Sequence, residues 1–230
     1  MWEKLLTIIL RKLFQFSVHK KVFIFYMDQL ETGDLLLFSG NSNSKSFFGL
    51  FDSLIKWGTH SNYTHTAVVL KNPTFINPVL KGTYVWESGW EKNPDPQDGI
   101  HKYGVRITPL AEILESYRNT GGTCFYRKME CDASHFTTEN LSNIHNIVYK
   151  KPYDICPLDW IEAYLKRDLN PQKTSRFWCS ALVGFIYTKC GILDPNTDWS
   201  ILSPNDLSLS GQQLIFTPGN KLSNSEIKLI

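Results

Sequence analysis

The stretch FWCSALVGFIYTKCGIL, residues 177–193, is the most hydrophobic run in the C-terminal half of the chain. It has to be covered by other structure, so it dictates a helix packed into a core. Leu182, Val183, Ile186 and Cys190 follow Cys179 at the +3, +4, +7 and +11 spacing of one helix face. Gly191 supplies the stop signal. Cys179 then falls on the first turn, where two readings compete. A buried free cysteine is commonly a small packing residue. A helix N-terminus also lowers a thiol pKa and prepares a thiolate nucleophile. One cysteine does not decide between them, and the rest of the chain has to supply a base.

The elements before this run read mostly as strands. GDLLLF (33–38) is a turn followed by a buried strand, and THTAVVL (64–70) is β-branched and apolar. TYVWESGW (83–90) alternates, and GVRITPL (104–110) runs into the helical LAEILESYR. GTCFYRKM (122–129) is a further strand, and residues 137–151 form a helix with a threonine cap. A last strand is expected within SPNDLSLSGQQLIFTPG (203–219). NSNSKS (41–46) is a polar loop, 47–59 a short helix or lid, and EKNPDPQDG (91–99) an exposed loop. The sum is an α+β domain over residues 30–230, a small antiparallel sheet with helices packed on one side.

Residues 1–29 form a separate extension. Trp2, Leu5, Leu6, Ile9, Leu13 and Phe16 share one helical face, and Lys4, Arg11, Lys12, Lys20 and Lys21 outnumber Glu3. Two roles fit this basic amphipathic pattern equally: peripheral contact with a membrane through residues 1–20, or docking on the chain's own domain. The apolar run from Leu5 to Leu10 is too short to span a bilayer. No small-residue cleavage site follows it, so a secretory leader is not expected.

Composition narrows the function classes. A net charge of +2 gives no electrostatic case for nucleic acid as a partner. The five cysteines, Cys124, Cys131, Cys156, Cys179 and Cys190, form no CxxC pair. They read as free thiols in a reducing compartment such as the cytoplasm, with the membrane as a peripheral option. No zinc spacing is present, so neither metal nor cofactor is expected.

Two further residues give Cys179 a context. His65 opens the THTAVVL strand, and Glu87 sits between Trp86 and Ser88 in an apolar strand. A lone histidine at a strand edge is usually structural, and a lone strand glutamate usually faces water. Together with Cys179 they make a nucleophile, a base and an orienting carboxylate. Trp57, Trp86, Trp90 and Trp178 are candidates to wall a groove, although aromatics are more often core. His60, His101, His135 and His145 lack an acid beside a strand edge and read as surface residues.

In order and spacing, TGDLLLF, YTHTAVVL, VWES, GVRITPL, KKPYD, FWCSALVGFIYTKCGIL and SPNDLSLS resemble the circularly permuted papain-like amidases. These are the YiiX-like branch of the NlpC-type superfamily, found in bacteria and large eukaryotic DNA viruses. The resemblance covers residues 30–212. It implies a permuted papain-like fold and a Cys179, His65, Glu87 triad, with Gly33–Asp34 as the opening turn and Tyr153 beside the pocket. Trp178 and Trp57 join Tyr153 as expected substrate contacts. The implied activity is hydrolysis of amide or ester bonds through an acyl-enzyme, on an acyl-amide, peptide or lipid substrate. Relatives of lecithin:retinol acyltransferase share the permuted fold and move acyl groups between lipids, which is the alternative activity. A non-catalytic binding module on the same fold is the third. Residues 1–29 and the loops at 41–60 and 91–101 have no counterpart in the family pattern.

Overall fold

The computed structural model describes residues 26–40, 62–154, 174–211 and 214–230. The amphipathic segment expected at 1–20, the loop expected at 41–46, the short helix or lid expected at 47–59, Trp57, His60 and Cys156 lie outside the described residues.

The framework is a mixed α+β fold around an antiparallel sheet. Its strands in chain order are β1 (Leu35–Ser39), β2 (His65–Lys71), β3 (Thr83–Trp90), β4 (Tyr103–Pro109), β5 (Thr123–Arg127), β6 (Met129–Glu130), β7 (Lys221–Leu222) and β8 (Ile227–Lys228). The main sheet runs β4-β3-β2-β1-β5-β8, with every neighbouring pair antiparallel. β6 and β7 pair separately. Among the described residues the longer helices are α1 (Leu110–Asn119), α2 (Thr138–Val148) and α3 (Cys179–Lys189).

β1 lies between β2 and β5, and its residues Leu35, Leu36, Leu37 and Phe38 are all buried. A strand covered on both faces reads as a continuous apolar run rather than an alternating one. Helices lie against both faces, not one. Leu35, Leu37, Val68, Leu70, Trp86 and Ile107 share a core with α2 and α3. Leu36, Phe38, Ala67, Val69 and Val85 pack on the opposite face with Leu110, Ile113 and Leu114 of α1. Period-two alternation assigns residues to faces, but it does not reveal that both faces are covered.

α3 is the central helix. Every residue from Cys179 to Tyr187 is buried, so the single apolar face expected from spacing understates its cover. Tyr187 donates to the Gly33 carbonyl at 2.8 Å, tying the helix to the turn before β1. Asp34 closes that turn, accepting from the backbone N–H groups of Glu31 and Met129, each at 2.9 Å. α2 carries its threonine cap: Thr137 accepts from the Asn140 N–H at 3.2 Å.

The C-terminal expectation needs correction. Within 203–219 the described residues contain only an isolated bridge, Phe216 to Leu193, and the last strands are β7 and β8 beyond it. Leu207, Leu214 and Phe216 pack on the core from irregular backbone, while Leu209 and Ile215 are exposed.

Candidate active site

The site forms where β2 and β3 stop pairing. Their register runs from Lys71↔Thr83 to Val68↔Trp86, while β2 begins earlier, at His65, and β3 continues to Trp90. The N-terminus of α3 meets this opening. The Thr66 backbone N–H lies beside the Cys179 thiol and favours its charged form.

Several contacts fix the chain just before Cys179. Gly104 in β4 has φ +146°, and a Cβ there would lie 2.3 Å from the Lys151 carbonyl oxygen. Glycine therefore lets residues 151–153 lie directly against β4. Tyr153 in turn bridges Phe177. The Phe177 carbonyl accepts from the Asp154 N–H at 3.1 Å and from the Ser88 hydroxyl at 2.6 Å. On the other side, the Leu202 carbonyl accepts from the Trp178 indole at 3.0 Å and the Ser180 hydroxyl at 2.6 Å. Trp178, the N-cap residue of α3, makes no side-chain cap. The first-turn amides of an uncapped helix are available as donors, and the Ser180 N–H is directed at the Cys179 sulfur.

His65 stands between the other two residues. Its Nε2 lies 2.7 Å from Glu87 Oε2, and its ring interacts electrostatically with the Cys179 thiol. With Nε2 engaged by the carboxylate, Nδ1 is the nitrogen left for sulfur. Glu87 is 1% exposed, which excludes a water-facing role. Its other oxygen, Oε1, accepts from the Thr108 hydroxyl and lies 4.0 Å from Arg106 Nε. A carboxylate at this depth is costly without such partners.

The electrostatics follow from this geometry. Burial alone would raise the Cys179 pKa, but the hydrogen bond and positive charge of His65 and the Thr66 and Ser180 amides bring it below the ordinary thiol value. Burial alone would lower that of His65, but bonding to Cys179 and Glu87, and their negative charge, push it up to about 10. The pair is thus stabilised as thiolate and imidazolium. The other described thiols move oppositely: burial raises Cys124 well above its ordinary value and Cys190 to about 12, and burial together with Asp34 raises Cys131.

The expected pocket residues fare unevenly. Tyr153 stacks on Tyr103 with ring centroids 5.0 Å apart, and the charge on Cys179 reaches both phenols. Tyr103 is therefore a neighbour of the site that the sequence reading missed; its only signal was its place at the end of a strand neighbouring Glu87's. Trp178 is 8% exposed and hydrogen-bonded inward, so it anchors the helix start rather than walling a groove. Trp86 is core. Trp90 is exposed and stacks on His101.

Two histidines expected at the surface are half-buried and engaged instead. His135 Nδ1 lies 2.7 Å from the Cys190 carbonyl oxygen, and His145 Nε2 lies 2.7 Å from Gln97 Oε1. The loop at 91–99 is held inward by Asp95, which is fully buried and lies 2.7 Å from Lys102 Nζ. Among the described residues no cluster of histidine, cysteine or acidic side chains could hold a metal ion. No helix among them is long and apolar enough to cross a membrane.

The chain matches no family model, and no curated protein matches its sequence.

Proposed function

We propose that the protein is a cysteine hydrolase of amide or ester bonds, built on a circularly permuted papain-like fold. The observation that carries this reading is the imidazole of His65, held through Nε2 by the buried Glu87 carboxylate at 2.7 Å and electrostatically linked to the Cys179 thiol. The order along the chain is histidine, glutamate, cysteine, whereas papain-type enzymes place the cysteine first. Geometry rather than order makes a triad.

In this mechanism the Cys179 thiolate attacks the substrate carbonyl carbon, and a C–S bond forms. Backbone N–H groups at the start of α3 stabilise the oxyanion. His65, as imidazolium, gives its proton to the leaving amine or alcohol as the C–N or C–O bond breaks. A thioester remains on Cys179. The now neutral His65 takes a proton from water, whose oxygen attacks the thioester. The acid is released, and the thiolate–imidazolium pair returns. Glu87 holds the ring in one orientation and favours its charged form.

Intact-mass analysis after mixing with p-nitrophenyl acetate tests the reading. The expected result is a transient acetyl adduct that maps to Cys179 and is absent from Cys179→Ser. An adduct confined to another cysteine, or turnover retained in Cys179→Ser, would overturn it.

A further inference from the structure

We infer that Thr108 and Arg106 are positioning residues that act on the candidate nucleophile through Glu87. The inference rests on the proposed triad and extends it by two residues on β4. Glu87 and Arg106 are direct cross-strand partners, and Thr108 stands opposite Val85 on the same strand pair. Glu87, Arg106 and Thr108 therefore project from one face of the sheet. Arg106 and Thr108 are fully buried.

Hydrogen-bond chemistry fixes the direction of this arrangement. Arg106 Nε lies 2.9 Å from the Thr108 hydroxyl oxygen, and a guanidinium only donates. The Thr108 hydroxyl therefore accepts from Arg106. Its own proton is left for Glu87 Oε1, the contact the structure contains. An ionised carboxylate only accepts, so the chain has one polarity: Arg106 to Thr108 to Glu87. With Oε1 held, Oε2 is the oxygen presented to His65 Nε2.

Arg106 is itself anchored by backbone. It donates to the Glu91 carbonyl at 3.4 Å and the Asn93 carbonyl at 2.8 Å. Residues 91–93 thus bear on the orientation of Glu87 without touching it. The ionisable groups around Glu87 are His65 on β2, Arg106 on β4, Glu91 just beyond β3 and Cys179 at the start of α3. Only Arg106 carries a permanent positive charge. A carboxylate whose donors are fixed before the reaction needs no reorganisation when the imidazole changes charge.

The test is the rate of Cys179 alkylation by iodoacetamide across pH, read by peptide mapping, in wild type, Thr108→Val and Thr108→Ser. Valine keeps the shape and removes the hydroxyl, while serine keeps the hydroxyl. Thr108→Val is expected to slow alkylation near neutral pH by about fivefold and to move its acid limb to higher pH, because Glu87 loses a fixed donor. Thr108→Ser should stay within about twofold of wild type, since the relay survives. A merely structural threonine would change thermal stability and leave the pH profile in place.

Thr108→Val with the wild-type profile would overturn the inference while leaving the triad standing. So would Thr108→Ser as impaired as Thr108→Val. A wild-type protein in which Cys179 reacts no faster than the other cysteines would instead sink the triad itself. If Thr108→Val fails to fold, Arg106→Lys gives the second reading. It keeps the charge but loses the planar donor set, so an unchanged profile there would also count against the relay.

Discussion

At the scale of the residue, the account turns on three side chains that each look ordinary alone. Cys179 belongs to an apolar helix, His65 to a strand edge and Glu87 to an apolar strand. What distinguishes them is mutual: the ring lowers the thiol's pKa, and the thiol and the carboxylate raise the ring's. Cys179→Ser is expected to lower turnover by at least about a thousandfold with little change in melting temperature, and His65→Ala to be similarly inactive. Glu87→Gln should retain measurable activity, about a hundredfold down, because an amide still orients the ring but carries no charge. Steady-state hydrolysis of an activated ester alongside thermal melts checks all three. Equal activity of wild type and Cys179→Ser would remove covalent catalysis by this thiol. The His65–Glu87 pairing was expected before the structure, from a strand histidine and a strand glutamate set in an order of motifs that resembles the permuted papain-like amidases. Tyr103, Thr108 and Arg106 were not legible, because their roles depend on cross-strand register, which no local pattern encodes.

At the scale of the element, the opening between β2 and β3 makes the site. Extending the register beyond Val68↔Trp86 sets His65 opposite Gly89. A Cβ on Gly89 would lie 3.2 Å from His65 Cε1 and 3.3 Å from Glu87 Oε2. Glycine thus leaves the imidazole room to reach the carboxylate across the strand. Gly89→Ala is expected to displace the ring and lower kcat/KM by about ten- to a hundredfold while the fold persists, since small misplacements of reacting groups are costly. Circular dichroism with ester hydrolysis measures both parts; undiminished activity would show the gap to be incidental. β3 was readable to its ends, because eight alternating residues bounded by turn signals leave little freedom. The strands β7 and β8, of two residues each, were not, since so short a pairing is chosen by the edge it meets rather than by its own pattern. The burial of α3 was signalled by its continuous apolar composition, but the residues that cover it, such as Trp199 and Leu202, were not, because spacing shows one apolar face and not what packs on the others.

At the scale of the whole molecule, an α+β class followed from the succession of apolar strands and helices, but the placing of helices on both faces did not. Short-range patterns state that a face is apolar, not which element covers it. The N-terminal segment poses the same question, with a membrane as one candidate cover. If its apolar face from Trp2 to Phe16 meets lipid, the full chain should sediment with anionic vesicles, less so as salt rises, while a chain beginning at Met27 stays in solution. Aggregation of the shortened chain, or equal sedimentation of both, would favour docking on the domain. The central claim, a Cys179 thiolate sustained by His65 and Glu87, is tested most directly by titrating thiolate ultraviolet absorbance against pH. In wild type, one thiolate should persist below the ordinary thiol range, since Cys179 is lowered below its ordinary value, and fade only as acid reprotonates it. On the alkaline side the imidazolium should discharge near about 10, ending its supply of protons to a leaving group without removing the thiolate. The low-pH signal should vanish in Cys179→Ser and move up to or above the ordinary thiol range in His65→Ala, where burial is no longer offset by the imidazolium. A wild-type protein with no thiolate below that range, or a low-pH signal unchanged in His65→Ala, would contradict the account.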